Sequence, residues 1–225
     1  MTIQGLVFDF DGLIVDTEAP IFQAWHELYE SYGCQLSLHE WVKIIGTAYG
    51  DFSPSAELER QLGRQLDWQG IAPALQQREL ELIVRQPPLP GVAEILSDAR
   101  AAGLKIALAS SSSCDWVTGH LNRLGLIQFF DCIVASDDVQ RTKPDPELFL
   151  SALACLGLQP GQAIVFEDSP NGILAAKRAG IYTVAAPSSL TRDLCLDQAD
   201  LQVNSLADLS LEELLRLASQ SQPSP

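Results

Sequence analysis

From Val92 to Val184 the chain alternates short apolar runs with helical stretches, and this alternation restricts the fold more than any other feature. Val92 to Ala102 reads as a helix closed by Gly103, Lys105 to Ala109 as a strand, and Asp115 to Leu124 as a helix closed by Gly125. Strand Cys132 to Val134, helix Pro146 to Leu156, strand Ala163 to Phe166, helix Asn171 to Ala179 and strand Tyr182 to Val184 continue the pattern. Strands separated by helices of this length build βαβ units, hence a parallel sheet with helices on both faces. The expected class is α/β with a Rossmann-like parallel core, in which ligands gather where the strands end.

One more apolar run, Leu6-Val7-Phe8, lies near the start and stops abruptly at Asp9-Phe10-Asp11-Gly12. Side chains alternate along a strand, so Asp9 and Asp11 leave on one side and Phe10 on the other. Two crowded carboxylates repel unless one is protonated or a cation sits between them. A hard divalent ion with oxygen ligands resolves this, magnesium being usual where phosphate is also bound. Alone, the same string also suits a turn or a helix cap.

Between these parts, from about Glu18 to Gln86, the sequence reads helical, with turn signals at Tyr32-Gly33, Gly46, Asp51 to Pro54 and Gly70. Phe22, Trp25, His26 and Tyr29 recur at helical spacing, as do Leu58, Leu62 and Leu66, then Leu75, Leu80 and Ile83; these stripes read as packing faces. Pro87-Pro88-Leu89-Pro90-Gly91 cannot continue a helix and marks a boundary. The expected division is a core of residues 1–15 and 91–225 with a helical cap of residues 16–90 inserted. The tail after Leu217 is expected to be disordered.

With 14 basic and 29 acidic residues the formal charge is -15, which argues against nucleic-acid or anionic-membrane binding. An anionic substrate would need local neutralisation. No apolar stretch reaches the roughly 18 residues of a transmembrane helix, and the first strand leaves no room for a signal peptide. A cytoplasmic monomer is expected. The five cysteines, at 34, 114, 132, 155 and 195, form no C-x-x-C pair, so reduced thiols, mostly in the core, are expected rather than a disulfide framework or zinc site.

The other strand ends repeat the theme. Ala109 runs into Ser110-Ser111-Ser112-Ser113 before a helix, which suits either an N-cap or a phosphate cradle of amides and hydroxyls. Arg141-Thr142-Lys143-Pro144-Asp145-Pro146 sets a lysine on a turn, where an ammonium can neutralise a nucleophile and phosphoryl oxygens. Phe166-Glu167-Asp168-Ser169-Pro170-Asn171-Gly172 is a second apolar strand ending in paired acids.

These four stretches, in this order, resemble the motifs of the haloacid dehalogenase superfamily, and the helical insertion is similar to the cap of its β-phosphoglucomutase-like subfamily. The resemblance covers nearly the whole chain. It implies that Asp9 is a nucleophile taking the phosphoryl group and that Asp11 is the general acid and base. It makes Ser110, followed by Ser111 and Ser112, the phosphate-binding segment, and gives Lys143 the charge-neutralising role. It implies a magnesium ion held by Asp9, the main-chain carbonyl of Asp11 and Asp168, with Glu167 binding directly or through water. Asp11 favours phosphoryl transfer over dehalogenation. The partner expected is a small phosphorylated metabolite, a sugar or polyol phosphate.

Within that resemblance a phosphatase competes with a sugar phosphomutase. The mutase carries a cap-side histidine four residues beyond the threonine of its first motif; here Thr17 is followed at that distance by Ile21. The lysine expected after the cradle serines is replaced by Ser113, and His26, His39 and His120 fall outside the motif. Hydrolysis is therefore expected over transfer. Tyr49 and Arg78 are candidate cap contacts to substrate, with packing and solvation as the alternative roles. Two hinges are implied, around Leu13 to Asp16 and at Pro87 to Gly91.

Overall fold

A computed structural model describes residues 2–42, 45 and 52–220. The chain runs β1 (Gly5–Phe8), α1 (Glu18–Ser31), α2 (Leu38–Trp41), α3 (Pro54–Leu62), α4 (Trp68–Ile83), α5 (Val92–Ala101), β2 (Lys105–Ala109), α6 (Cys114–Leu124) and β3 (Cys132–Val134). It continues through α7 (Glu147–Leu156), β4 (Ala163–Glu167), α8 (Pro170–Arg178), β5 (Tyr182–Ala185), β6 (Leu201–Gln202) and α9 (Leu211–Gln220). All six strands are parallel, in the order β3-β2-β1-β4-β5-β6. Phe8 at the end of β1 faces Leu108 and Phe166, each the last residue but one of its strand, so the three strand ends lie within one residue of level.

The pleat sorts the core into two layers. Leu6, Phe8, Ile106, Leu108, Ile164 and Phe166 point to one face, where Ile95 and Leu96 of α5, Leu121 of α6 and Leu214 of α9 cover them. Val7, Ala107, Ala109 and Val165 point to the other, under Phe149 and Ala152 of α7 and Ala175 of α8. Phe10 joins the first face, keeping the alternation beyond the strand and leaving Asp9 on the opposite side. The near-continuous apolar strands reflect burial on both sides.

The helices between β1 and α5 carry their own apolar cluster around Tyr29, Leu36, Trp41, Ile45 and Leu58. Both connections to the sheet layer run side by side: Val15 bridges Pro88, and the Leu89 amide donates to the Ile14 carbonyl at 2.8 Å. Arg123 of α6 adds hydrogen bonds to the carbonyls of Val84 and Gln86 at 2.9 and 3.0 Å.

Several expectations need correction. In the stripe on α4 Leu80 is 41% exposed, and Leu82 is buried in its stead. Gly63, in the left-handed region, ends α3 before Leu66, although Leu66 still packs on the same cluster. Ala218 to Gln220 belong to α9, with Ala218 fully buried, so the tail is ordered further than its composition suggests. The cysteine reading also fails: Cys132 and Cys155 form a disulfide, because α7 packs beside β3 and sets their Cα atoms 6.4 Å apart. Of the free thiols, Cys34 and Cys114 are half-buried and Cys195 is exposed, so none lies in the core.

Candidate active site

Asp9, Ser110 and Asp168 follow directly on the nearly level ends of β1, β2 and β4, and the parallel sheet therefore converges them. The Lys143 ammonium reaches them from the turn before α7. It bonds Asp9 Oδ1 and, at 2.6 Å, Glu167 Oε1. The other Glu167 oxygen accepts from the amides of Asp168 and Ser169 at 3.0 and 3.2 Å and from Ser169 Oγ at 3.1 Å. Asp168 Oδ2 accepts from Thr191 Oγ1 at 3.2 Å.

Two motif glycines are required by this crowding. A Cβ on Gly172 would lie 1.9 Å from the Glu167 carboxyl, and one on Gly12 would lie 2.1 Å from Asp168 Oδ2. Gly12 also has φ +80°, which lets the chain turn directly after Asp11.

Asp9, Glu167 and Asp168 are all buried, and one carboxylate oxygen from each lies within 4.8 Å of the others. Burial pushes the Asp9 carboxyl up to about 8 against the pull of the Lys143 ammonium, with Glu167 adding to the rise. Burial, then Glu167 and Asp9, push Asp168 well above the usual carboxylate range. Burial alone would lower the Lys143 pKa, yet the two carboxylates it touches raise it, so it stays charged. Three acids around one ammonium, held in the dry interior, resist ionising together. A hard cation with oxygen ligands relieves that conflict, and the donor set fits magnesium.

Above these acids is a cavity of about 420 Å³ lined by Asp9, Asp11, Thr17, Glu18, Ile21 and Ile45, with Ser110, Ser111, Ser112, Trp116, Lys143 and Asp168 among the rest. Asp11 is held at both oxygens: Ser112 Oγ donates to Oδ2 at 2.6 Å, and Trp116 Nε1 donates to Oδ1 at 3.0 Å. The acids Asp9, Asp11 and Asp168, the lysine and the three serines are thus brought to one cavity, with Glu167 directly beneath.

The amide cradle is less open than expected. The Ser110 amide donates to the Val134 carbonyl, the Ser112 amide to Ser110 Oγ at 3.0 Å, and the Cys114 amide to Asp137 at 2.6 Å. Ser113 caps α6 through the Trp116 amide. Arg78 does not line the cavity. It forms a two-point ion pair with Glu27 at 2.7 and 3.0 Å and a further contact to Glu81. Tyr49 lies outside the described residues.

Sequence reasoning missed Trp116, Glu18 and Thr191. Burial, then Asp11 and Asp16, push the Glu18 carboxyl up to about 7. A usable signal existed for Glu18, an acid directly after Asp16-Thr17, but none for Thr191, whose approach to Asp168 depends on the loop beyond β5.

A family profile described as haloacid dehalogenase-like hydrolase matches residues 6–186. The Bacillus subtilis protein YhcW is 42% identical over 213 residues, spanning 95% of this chain and 96% of its own. A Thermotoga maritima protein named phosphorylated carbohydrates phosphatase is 30% identical over 216 residues, 96% of this chain and 98% of its own. Among solved structures, β-phosphoglucomutase from Clostridium difficile superposes with a TM-score of 0.70 at 25% identity, covering 97% of this chain and 98% of that one.

Proposed function

The chain belongs to the haloacid dehalogenase-like hydrolases and is a phosphoric monoester hydrolase; from that premise we propose a magnesium-dependent phosphatase for sugar or polyol phosphates, working through an aspartyl phosphate on Asp9. The observation that carries this reading is Asp9 held by Lys143 at a cavity that Asp11 also lines. A volume of about 420 Å³ suits a small metabolite. Thr17 Oγ1 is buried without a partner among the described residues, and Glu18 lies beside it on the cavity wall, so a hydroxylated leaving group finds polar contacts there.

In the proposed mechanism Asp9 attacks phosphorus while Lys143 offsets the repulsion between the two anions. Asp11 gives a proton to the leaving oxygen and then takes one from the water that cleaves the aspartyl phosphate. Asp9, the Asp11 carbonyl and Asp168 would hold a magnesium ion, which would supply further positive charge at the site of this strongly acidic chain. Glu167, with four donors from the protein, serves by fixing Lys143 and the Asp168 backbone.

A pH-dependent stability follows. Buried carboxyls with raised values keep their protons when folded but lose them earlier when unfolded, so stability falls as pH rises from about 4 to about 8. Without divalent ions the melting temperature is expected to drop over that range, and magnesium to restore it more at pH 8 than at pH 5. A magnesium response equal at both values would count against the ion site.

The likeness to β-phosphoglucomutase keeps a mutase as the second reading. Ile21 favours hydrolysis, since it lines the cavity at the position where the mutase resemblance calls for histidine. A panel of phosphorylated metabolites with magnesium, and β-glucose 1-phosphate with a trace of its 1,6-bisphosphate, tests both. Phosphate release, lost on chelation and regained with magnesium, is the expected outcome. Glucose 6-phosphate with little free phosphate would establish the mutase.

A further inference from the structure

We infer that Trp116 is a positioning residue for Asp11: its indole N–H fixes the plane and the aim of the carboxylate. This inference rests on the acid role proposed for Asp11. The two partners of Asp11 differ in kind. An indole N–H only donates, whereas the Ser112 hydroxyl donates or accepts by rotating. Trp116, 3.0 Å from Oδ1, therefore holds that oxygen only as an acceptor of its N–H. Ser112 Oγ, 2.6 Å from Oδ2, bonds the other oxygen through a hydroxyl that can rotate, so it fixes the carboxylate plane less firmly than the indole does.

The indole is itself held. Trp116 lies in the first turn of α6, where Ser113 Oγ accepts its amide. Its ring meets His120, one turn on, edge to face at 4.4 Å, and buried His120 rests against Phe10, the residue between the two aspartates. Arg123 donates to His120 Nδ1 at 3.3 Å while gripping the Val84 and Gln86 carbonyls. A braced donor loses little freedom when it bonds, so it can set the aim of a carboxylate that would otherwise rotate.

In the first half-reaction the bond from Asp9 oxygen to phosphorus forms and the phosphorus–leaving-oxygen bond breaks. Its electron pair stays on that oxygen, which takes the Asp11 proton. An alkoxide needs this proton and a nitrophenolate does not, and that contrast provides the test. In single-turnover experiments with the magnesium-loaded protein, Trp116→Phe should slow release of a sugar or glycerol leaving group by roughly ten-fold or more, part of the usual worth of acid catalysis. Release of p-nitrophenol should fall much less than release of the sugar or glycerol.

Equal loss on both substrates would mark a structural defect and overturn the inference, as would no loss on either. If Trp116→Phe does not fold, site-specific incorporation of the benzothienyl analogue, which keeps the indole shape without the N–H, is read by the same criteria. Asp11→Asn run alongside separates the two levels. If it shows no leaving-group contrast, the acid role of Asp11 fails; if it does and the Trp116 variants do not, only the inference fails.

Discussion

Asp9→Asn is expected to lower turnover by on the order of 10⁴-fold or more, the scale seen when a nucleophile is removed from a catalytic set. The amide is close in shape and can still accept from Lys143, but it is a poor nucleophile and cannot form the aspartyl phosphate. The fold should survive. Burial already pushes the Asp9 carboxyl up to about 8, so a neutral group in its place removes a cost of the folded state at neutral pH. Without magnesium the variant should melt at or above the parent temperature at pH 8, with a weakened magnesium response. Phosphate release near the parent rate in magnesium buffer would remove Asp9 from the mechanism.

Lys143→Met should damage both stability and rate. The ammonium is buried, bridges Asp9 and Glu167, and lies 5.0 Å from the Phe149 ring. Methionine fills similar space but leaves two carboxylates facing each other with no counter-charge. Removing one member of a buried ionic group costs about 3–5 kcal/mol. The loss should be largest near pH 8 and smaller near pH 5, where Asp9 and Asp168 take up protons in the folded state. Turnover should fall by roughly 10²–10³-fold, as for other lost electrostatic contacts to a developing anion. Urea unfolding at the two pH values, with phosphate release in parallel, checks both; parent-like stability and rate would contradict the bridging role.

The parallel core was legible because its strands are short apolar runs with helices between them. β6 was not, being only Leu201–Gln202 beside acidic residues, and the last three residues of α9, Ala218 to Gln220, fell in the stretch expected to be disordered. Asp9, Ser110 and Asp168 could be named because their motifs sit where a strand stops, and the sheet does the rest, whereas Lys143 comes from a turn nine residues beyond β3. Interactions between distant segments stayed hidden. Arg78 looked available until Glu27, 51 positions earlier, was found against it. Cys132 and Cys155 needed α7 to pack beside β3 before they could pair. Trp116, inside an expected helix, drew no notice, since spacing alone does not say which carboxylate an indole N–H will meet.

The paired connections at Val15 and Pro88 mean that the chain departs from the sheet layer and re-enters it at one spot. For an excursion whose ends already touch, closure entropy grows only slowly with length. Residues between those ends can therefore lengthen, shorten or diverge without disturbing the alignment of β1 with β2 and β4. Ile21 and Ile45 on the cavity wall belong to that exchangeable segment, whereas Asp9, Lys143 and Asp168 do not. A lineage of such chains can thus vary that part of the cavity wall while Asp9, Lys143 and Asp168 stay in place.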